Sequence, residues 1–146
     1  MKIAIGSDHG GYNLKEAVKK HLSEKGVEFN DMGAYSTDSC DYPDYAVKTA
    51  QAVALGEYDK GILICGTGIG ISIAANKVKG IRAALCGDTF SARMSREHND
   101  SNILCMGERV VGIGLAMDIV DEWLNGVFAG GRHMNRVQKI ADIEKM

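Results

Sequence analysis

The stretch Ile62-Leu63-Ile64-Cys65-Gly66-Thr67-Gly68-Ile69-Gly70 joins an apolar run to a cysteine and a glycine-spaced turn, and a helix-compatible segment through Ala74, Ala75 and Lys77 follows. A short continuous apolar run bounded by glycine is the pattern of a strand buried on both faces. A strand, a tight turn and a helix in that order form the first half of a parallel crossover unit. Three glycines in five positions allow a ligand close to the main chain, and N–H groups at a helix start favour negative charge. Cys65 lies at the rim of that field. A free thiol titrates near about 8.5 and a helix N-terminus lowers that value, so a cysteine placed there can serve as base or nucleophile.

Working outward, five short apolar runs, at 2 to 5, 27 to 29, 61 to 65, 81 to 86 and 103 to 106, alternate with helix-compatible segments. Alternation of this kind predicts an α/β fold with a five-stranded parallel sheet between helices. Helices are expected over residues 11 to 25, 44 to 55, 69 to 78, 89 to 97, 113 to 125 and 133 to 144. The first places Leu14, Ala17, Val18 and Leu22 on one face and ends at Gly26. Gly33 to Asp44 carries Ser, Thr, Asp and the chain's single proline, and reads as an exposed loop.

At 146 residues the expectation is one domain, 1–146, large enough to bury a core without metal or disulfide staples. Seventeen basic and nineteen acidic residues leave a formal charge of -2, so no global field draws nucleic acid or an anionic membrane, and any anion site is local. The opening MKIAIGSDHG has only a three-residue apolar run before Gly6 and Asp8, which is neither signal peptide nor membrane span. A cytoplasmic location is expected. The four cysteines, at 40, 65, 86 and 105, lack CxxC spacing and read as reduced thiols, with Cys86 and Cys105 as packing residues.

Familiar motifs are absent at the loop. A dinucleotide fingerprint from Gly66 requires glycine at 71 and a thiol phosphatase requires arginine there, but the residue is Ile71, and no P-loop lysine follows. Asp8-His9 follows the first strand, where a carboxylate and an imidazole can move protons; the plainer reading is a turn-capping aspartate beside an exposed histidine. His98-Asn99-Asp100 carries the same two readings. No His-x-x-x-His or HExxH spacing supports a metal site. Because ligands bind beyond the carboxyl ends of parallel strands, the Asp8, Cys65 and His98 clusters are expected to converge in one crevice.

The tail Gly130-Gly131-Arg132-His133-Met134-Asn135-Arg136 puts two arginines four apart, one helical face, just after a double glycine. Like charges at that spacing repel by a few tenths of a kcal/mol, and cations are disfavoured at a helix start. A bound phosphate reverses both penalties through forked, charge-assisted bonds. A solvated basic face is the alternative.

Taken together, I-G-S-D-H-G-G, D-Y-P-D-Y, C-G-T-G-I-G-I-S-I-A-A-N-K, E-H-N-D-S-N-I-L-C-M-G and the tail arginines make the chain resemble, over nearly its whole length, the B-type ribose-5-phosphate isomerases. Galactose-6-phosphate isomerase subunits belong to the same family. The resemblance implies a flavodoxin-like or Rossmann-like three-layer αβα sandwich. It further implies a homodimer, or a dimer of dimers, with shared sites, and interconversion of ribose 5-phosphate and ribulose 5-phosphate without a cofactor. Position by position, Cys65 resembles the base that moves a proton between C2 and C1, Asp8 the group that handles hydroxyl protons, and Thr67 and His98 the groups that open the furanose ring. Asn99 and the main chain of Gly66, Gly68, Ile69 and Gly70 resemble the cradle for the enediolate, and His9, Arg109, Arg132 and Arg136 the phosphate-binding set. Relatives without the cysteine carry a glutamate after the third glycine; Ile71 stands there, so a carboxylate base at that point is excluded. A galactose-6-phosphate isomerase subunit and a non-catalytic phosphosugar sensor are the competing readings.

Overall fold

The computed structural model describes residues 1–146. Five parallel strands, β1 (Lys2–Ser7), β2 (Glu28–Asp31), β3 (Lys60–Cys65), β4 (Ala83–Leu85) and β5 (Ile103–Gly107), lie in the order β2-β1-β3-β5-β4. Six α-helices connect and extend them: α1 (Tyr12–Glu24), α2 (Tyr42–Ala54), α3 (Ile69–Ala75), α4 (Thr89–Glu97), α5 (Ile113–Asn125) and α6 (Arg132–Ile143). Side-chain alternation divides the interior into two layers. Ile3, Ile5, Ile62, Ile64, Leu104 and Met106 point toward α1, α4 and α5, where Leu14, Val18, Ala92, Ile119 and Trp123 meet them. Ala4, Leu63, Cys65, Ile103 and Cys105 point the other way, against Ala46, Ala50 and Val53 of α2 and Ile71 and Ala75 of α3. The result is the expected three-layer αβα sandwich.

Several boundaries differ from expectation, β2 running on to Asp31 and α3 ending at Ala75 among them, and two of the differences have a plain local cause. Helix α2 begins at Tyr42, inside the predicted loop, because Pro43 stands in its first turn, where a fixed φ suits the helix and no N–H is missed. Strand β4 keeps only three residues of the predicted run; Ile81 is held in a turn by its bond to the Val78 carbonyl. Chain reversal between β1 and β3 opens the sheet at their carboxyl ends, the place where such sheets hold ligands.

Helix α6 is the outlier. None of its residues is buried, and Met134, Ile140 and Ile143 are exposed. It lies along the amino-terminal edge of the sheet, tied by the Gly80 N–H to Glu144 Oε1 at 2.9 Å and by the Ala129 N–H to the Glu97 carbonyl at 2.9 Å.

Candidate active site

Cys65 is the last residue of β3, 5 % exposed, and its Sγ accepts the Gly68 N–H at 3.1 Å. The turn that makes this bond needs Gly68 at φ 78°, and a Cβ there would stand 2.5 Å from Leu85 Cδ1 and 2.7 Å from the Met106 carbonyl carbon. Only glycine fits. The next hydroxyl, Thr67 Oγ1, accepts the Ile69 N–H at 3.1 Å. The N–H groups of Gly66, Thr67, Gly70 and Ile71 find no acceptor within the chain, so four donors line the loop. Tyr42, brought in by the early start of α2, lays its ring against Gly70, where a Cβ would fall 2.6 Å from Tyr42 Cζ.

Strand β1 delivers Asp8 and His9 beside this loop through the Asp8 N–H to Ile64 carbonyl bond, 3.3 Å. Asp8 Oδ1 caps the single 3-10 turn His9–Gly11 by accepting the Gly11 N–H at 3.1 Å, so its capping role is present, with the carboxylate 7 % exposed. His9 Nδ1 accepts the Cys40 N–H at 3.2 Å. That bond leaves Nε2 as the ring edge open to a ligand. Arg109 follows β5, donates its main-chain N–H to the Gly66 carbonyl at 3.0 Å, and passes its side chain over Gly66. Its guanidinium makes no ion pair inside the chain. Asp8, His9, Cys65, Thr67, Gly66, Gly68, Ile69, Gly70 and Arg109 therefore form one group at the carboxyl edge of the sheet.

His98, Asn99, Arg132 and Arg136 form a second group, elsewhere. The expected convergence in one crevice of a single chain does not occur. Helix α4 carries the chain back to the amino-terminal edge, where His98 caps it and the Asn99 carbonyl accepts from Arg82 Nε at 3.0 Å, one residue before β4. Cys65 pairs with Gly107 and Gly61 with Ile103; a rise of about 3.3 Å per residue puts Cys65 roughly 13 Å up the sheet from Ile103, which itself follows His98. At the lower edge the His98 and His133 rings stack, centroids 4.2 Å apart and planes 12° apart. Burial first, then the charges of His98, Arg132 and Arg136, hold His133 below the ordinary histidine value. Arg132 and Arg136 are exposed and without ion pairs.

Two of the other cysteines, Cys86 and Cys105, are buried in the core. Burial pushes the Cys86 thiol up to about 11, and burial with the neighbouring thiols pushes Cys105 well above its usual value.

A family model described as Ribose/Galactose Isomerase matches residues 3–140. The chain belongs to the ribose/galactose isomerase family. Within that family it superposes on the ribose-5-phosphate isomerase B of Clostridium thermocellum with a TM-score of 0.98 at 63 % identity, covering 99 % of this chain and 98 % of the other. Ribose-5-phosphate isomerase B of Escherichia coli is 56 % identical over 99 % of this chain and 97 % of its own. The Mycoplasma genitalium ribose-5-phosphate isomerase B, solved with bound ribulose 5-phosphate, superposes at a TM-score of 0.94 with 43 % identity, over 99 % of this chain and 96 % of that one. A D-erythrulose-4-phosphate isomerase of Mycolicibacterium smegmatis is 49 % identical over 85 % of this chain and 84 % of its own.

Two residues at these edges carry no role in the sequence reading. Tyr42 had a signal, an aromatic residue directly before the only proline. His133 had none, since its partner His98 is 35 positions away in sequence (133 minus 98).

Proposed function

We propose that this protein is a cofactor-independent aldose-ketose isomerase that interconverts ribose 5-phosphate and ribulose 5-phosphate, and that each of its sites is shared by two copies of the chain. The observation that carries the reading is Cys65 Sγ at the end of β3, beside a loop whose Gly66, Thr67, Gly70 and Ile71 N–H groups lack acceptors. Isomerisation requires a base that takes the C2 proton and returns it to C1, with charge passing through an enediolate. Fixed N–H dipoles stabilise that charge without reorganising, and one small, central thiol serves both carbons.

The cyclic sugar has no carbonyl to acidify C2, so ring opening comes first: a proton leaves the C1 hydroxyl, the C1–ring-oxygen bond breaks, and the ring oxygen takes up a proton. Thr67 and His98 carry these transfers, and Asp8 handles the hydroxyl protons during the enediolate step. Arg132 and Arg136 with His9 and Arg109 hold the phosphate, and Asn99 helps hold the sugar oxygens.

Since His98, Asn99, Arg132 and Arg136 stand at the opposite sheet edge from Cys65, one chain supplies the thiol loop, Asp8, His9 and Arg109, and a second copy supplies the histidine and the two tail arginines. Exposed Ile69, Ile73, Leu85, Phe90, Val110 and Ile113 surround the loop and support a partner there, because exposed apolar groups concentrated on one side mark association surfaces. The test is ketose formation from ribose 5-phosphate by purified, chelator-treated protein. Binding without ketose would make the chain a sensor and refute the proposal.

A further inference from the structure

The His98 ring has no hydrogen-bond partner in the chain; only the main-chain N–H is fixed, to the Met94 carbonyl at 2.8 Å. What holds the imidazole is the flat stack with His133 at 4.2 Å and 12°. We propose that His133 is a positioning residue: its ring fixes the plane of His98 and joins that ring to the helix carrying Arg132 and Arg136. The role rests on the assignment of His98 to ring opening.

The framework around the stack is rigid on both sides. His133 sits in the first turn of α6, with its N–H bonded to the Gly130 carbonyl at 3.1 Å, and the preceding segment is pinned to the end of α4 by the Ala129 N–H to Glu97 carbonyl bond. The charged groups of the elements that meet here are unevenly matched. Glu97 is paired with Arg93 at 4.0 Å, and Asp100 with Arg96 at 3.0 Å and Arg82 at 3.4 Å, while Arg132 and Arg136 stay unpaired. The net field here is positive and adds to burial, the larger cause, in holding His133 below its ordinary value. A phosphate held by Arg132 and Arg136 offsets their charge beside the His133 ring.

A substrate without a ring separates positioning from general damage. Erythrose 4-phosphate has its O4 esterified and cannot close a furanose, so it needs no ring opening. His133→Ser is expected to lose at least about tenfold in kcat on ribose 5-phosphate, the scale on which a misplaced catalytic group costs rate, and less than about threefold on erythrose 4-phosphate. His133→Phe, which keeps a flat ring, should retain ribose 5-phosphate turnover within about threefold. In NMR spectra of the full-length protein, the His98 ring resonances should shift in His133→Ser, since a stacked ring is removed. Equal loss on both sugars, or unmoved His98 resonances, overturns the proposal; if erythrose 4-phosphate is not turned over, the resonances decide. His98→Asn separates the two claims. Should it leave ribose 5-phosphate turnover intact, the ring-opening assignment fails; should it abolish turnover while His133→Ser does not, only the positioning role fails.

Discussion

Lys15 is a lysine with no exposed surface, and replacing it by methionine is a direct test of how the loop beside His9 is held. Its Nζ donates to Asp31 Oδ1 at 2.6 Å and to the Ala34 carbonyl, and it lies 5.5 Å from the centre of the Tyr12 ring and 5.4 Å from that of Tyr35. Asp31 also accepts from Lys19 at 2.8 Å and from the Gly33 N–H at 2.8 Å. Burial raises the Asp31 carboxyl, but the bonds from Lys15, Lys19 and Gly33 outweigh it and leave the group below its ordinary value. Removing one partner of a buried pair costs roughly 3–5 kcal/mol. Lys19 and the Gly33 N–H remain, and Asp31 is 15 % exposed, so about 2–3 kcal/mol is expected for Lys15→Met, or roughly 5–10 °C in Tm for a chain of this size.

The assay is urea unfolding at one fixed protein concentration, repeated from pH 7 to pH 3. A carboxyl held below its unfolded value stabilises the fold above about 3.9 and loses that contribution as pH falls through the folded value. The gap between wild type and Lys15→Met should therefore be full at pH 7 and narrow toward pH 3. A gap under about 0.5 kcal/mol at pH 7, the ordinary scatter of surface substitutions, or one that widens with acid, would refute the reasoning.

Three further outcomes are expected. Cys65→Ala should lower kcat at least about a hundredfold with Tm nearly unchanged, and turnover near wild type would remove Cys65 from the mechanism. Arg136→Ala should raise KM for phosphorylated sugars far more than for an unphosphorylated aldose, with Arg136→Lys between, because lysine keeps the charge but not the planar fork; equal weakening of both sugars would make the residue structural. At pH 8, with Cys86 pushed up to about 11 and Cys105 raised by burial, an aromatic disulfide reagent should leave both unmodified until the chain unfolds.

The fold was legible where local chemistry repeats. The Ile62–Cys65 run, the glycine turn and the helix after it needed no tertiary knowledge, because a strand buried on both faces is written as continuous apolar residues. Helix α1 was legible from the spacing of Leu14, Val18 and Leu22. The start of α2 at Tyr42 was not, since the Ser, Thr and Asp residues ahead of it outweighed the helix-start meaning of Pro43.

The sequence offered candidate residues but not the places they would occupy. Cys65, Thr67, Asp8, His9 and Arg109 do gather at one edge. His98 does not join them, because a helix following a strand returns the chain to the other edge, and a cluster at a helix's C-terminal end lies where the next strand begins. Lys15 was passed over for a related reason: its burial depends on Asp31 and Ala34, which reach it from the far end of β2.

The division of the site between two copies is tested most directly by mixing Cys65→Ala with His98→Asn, each inactive alone, after joint unfolding and refolding in equal amounts. Random pairing makes about half of the dimers mixed, and each mixed dimer holds one site with both residues intact, so about a quarter of wild-type activity should return. A mixture as inactive as its components would contradict a site built from one chain's Cys65 and another chain's His98.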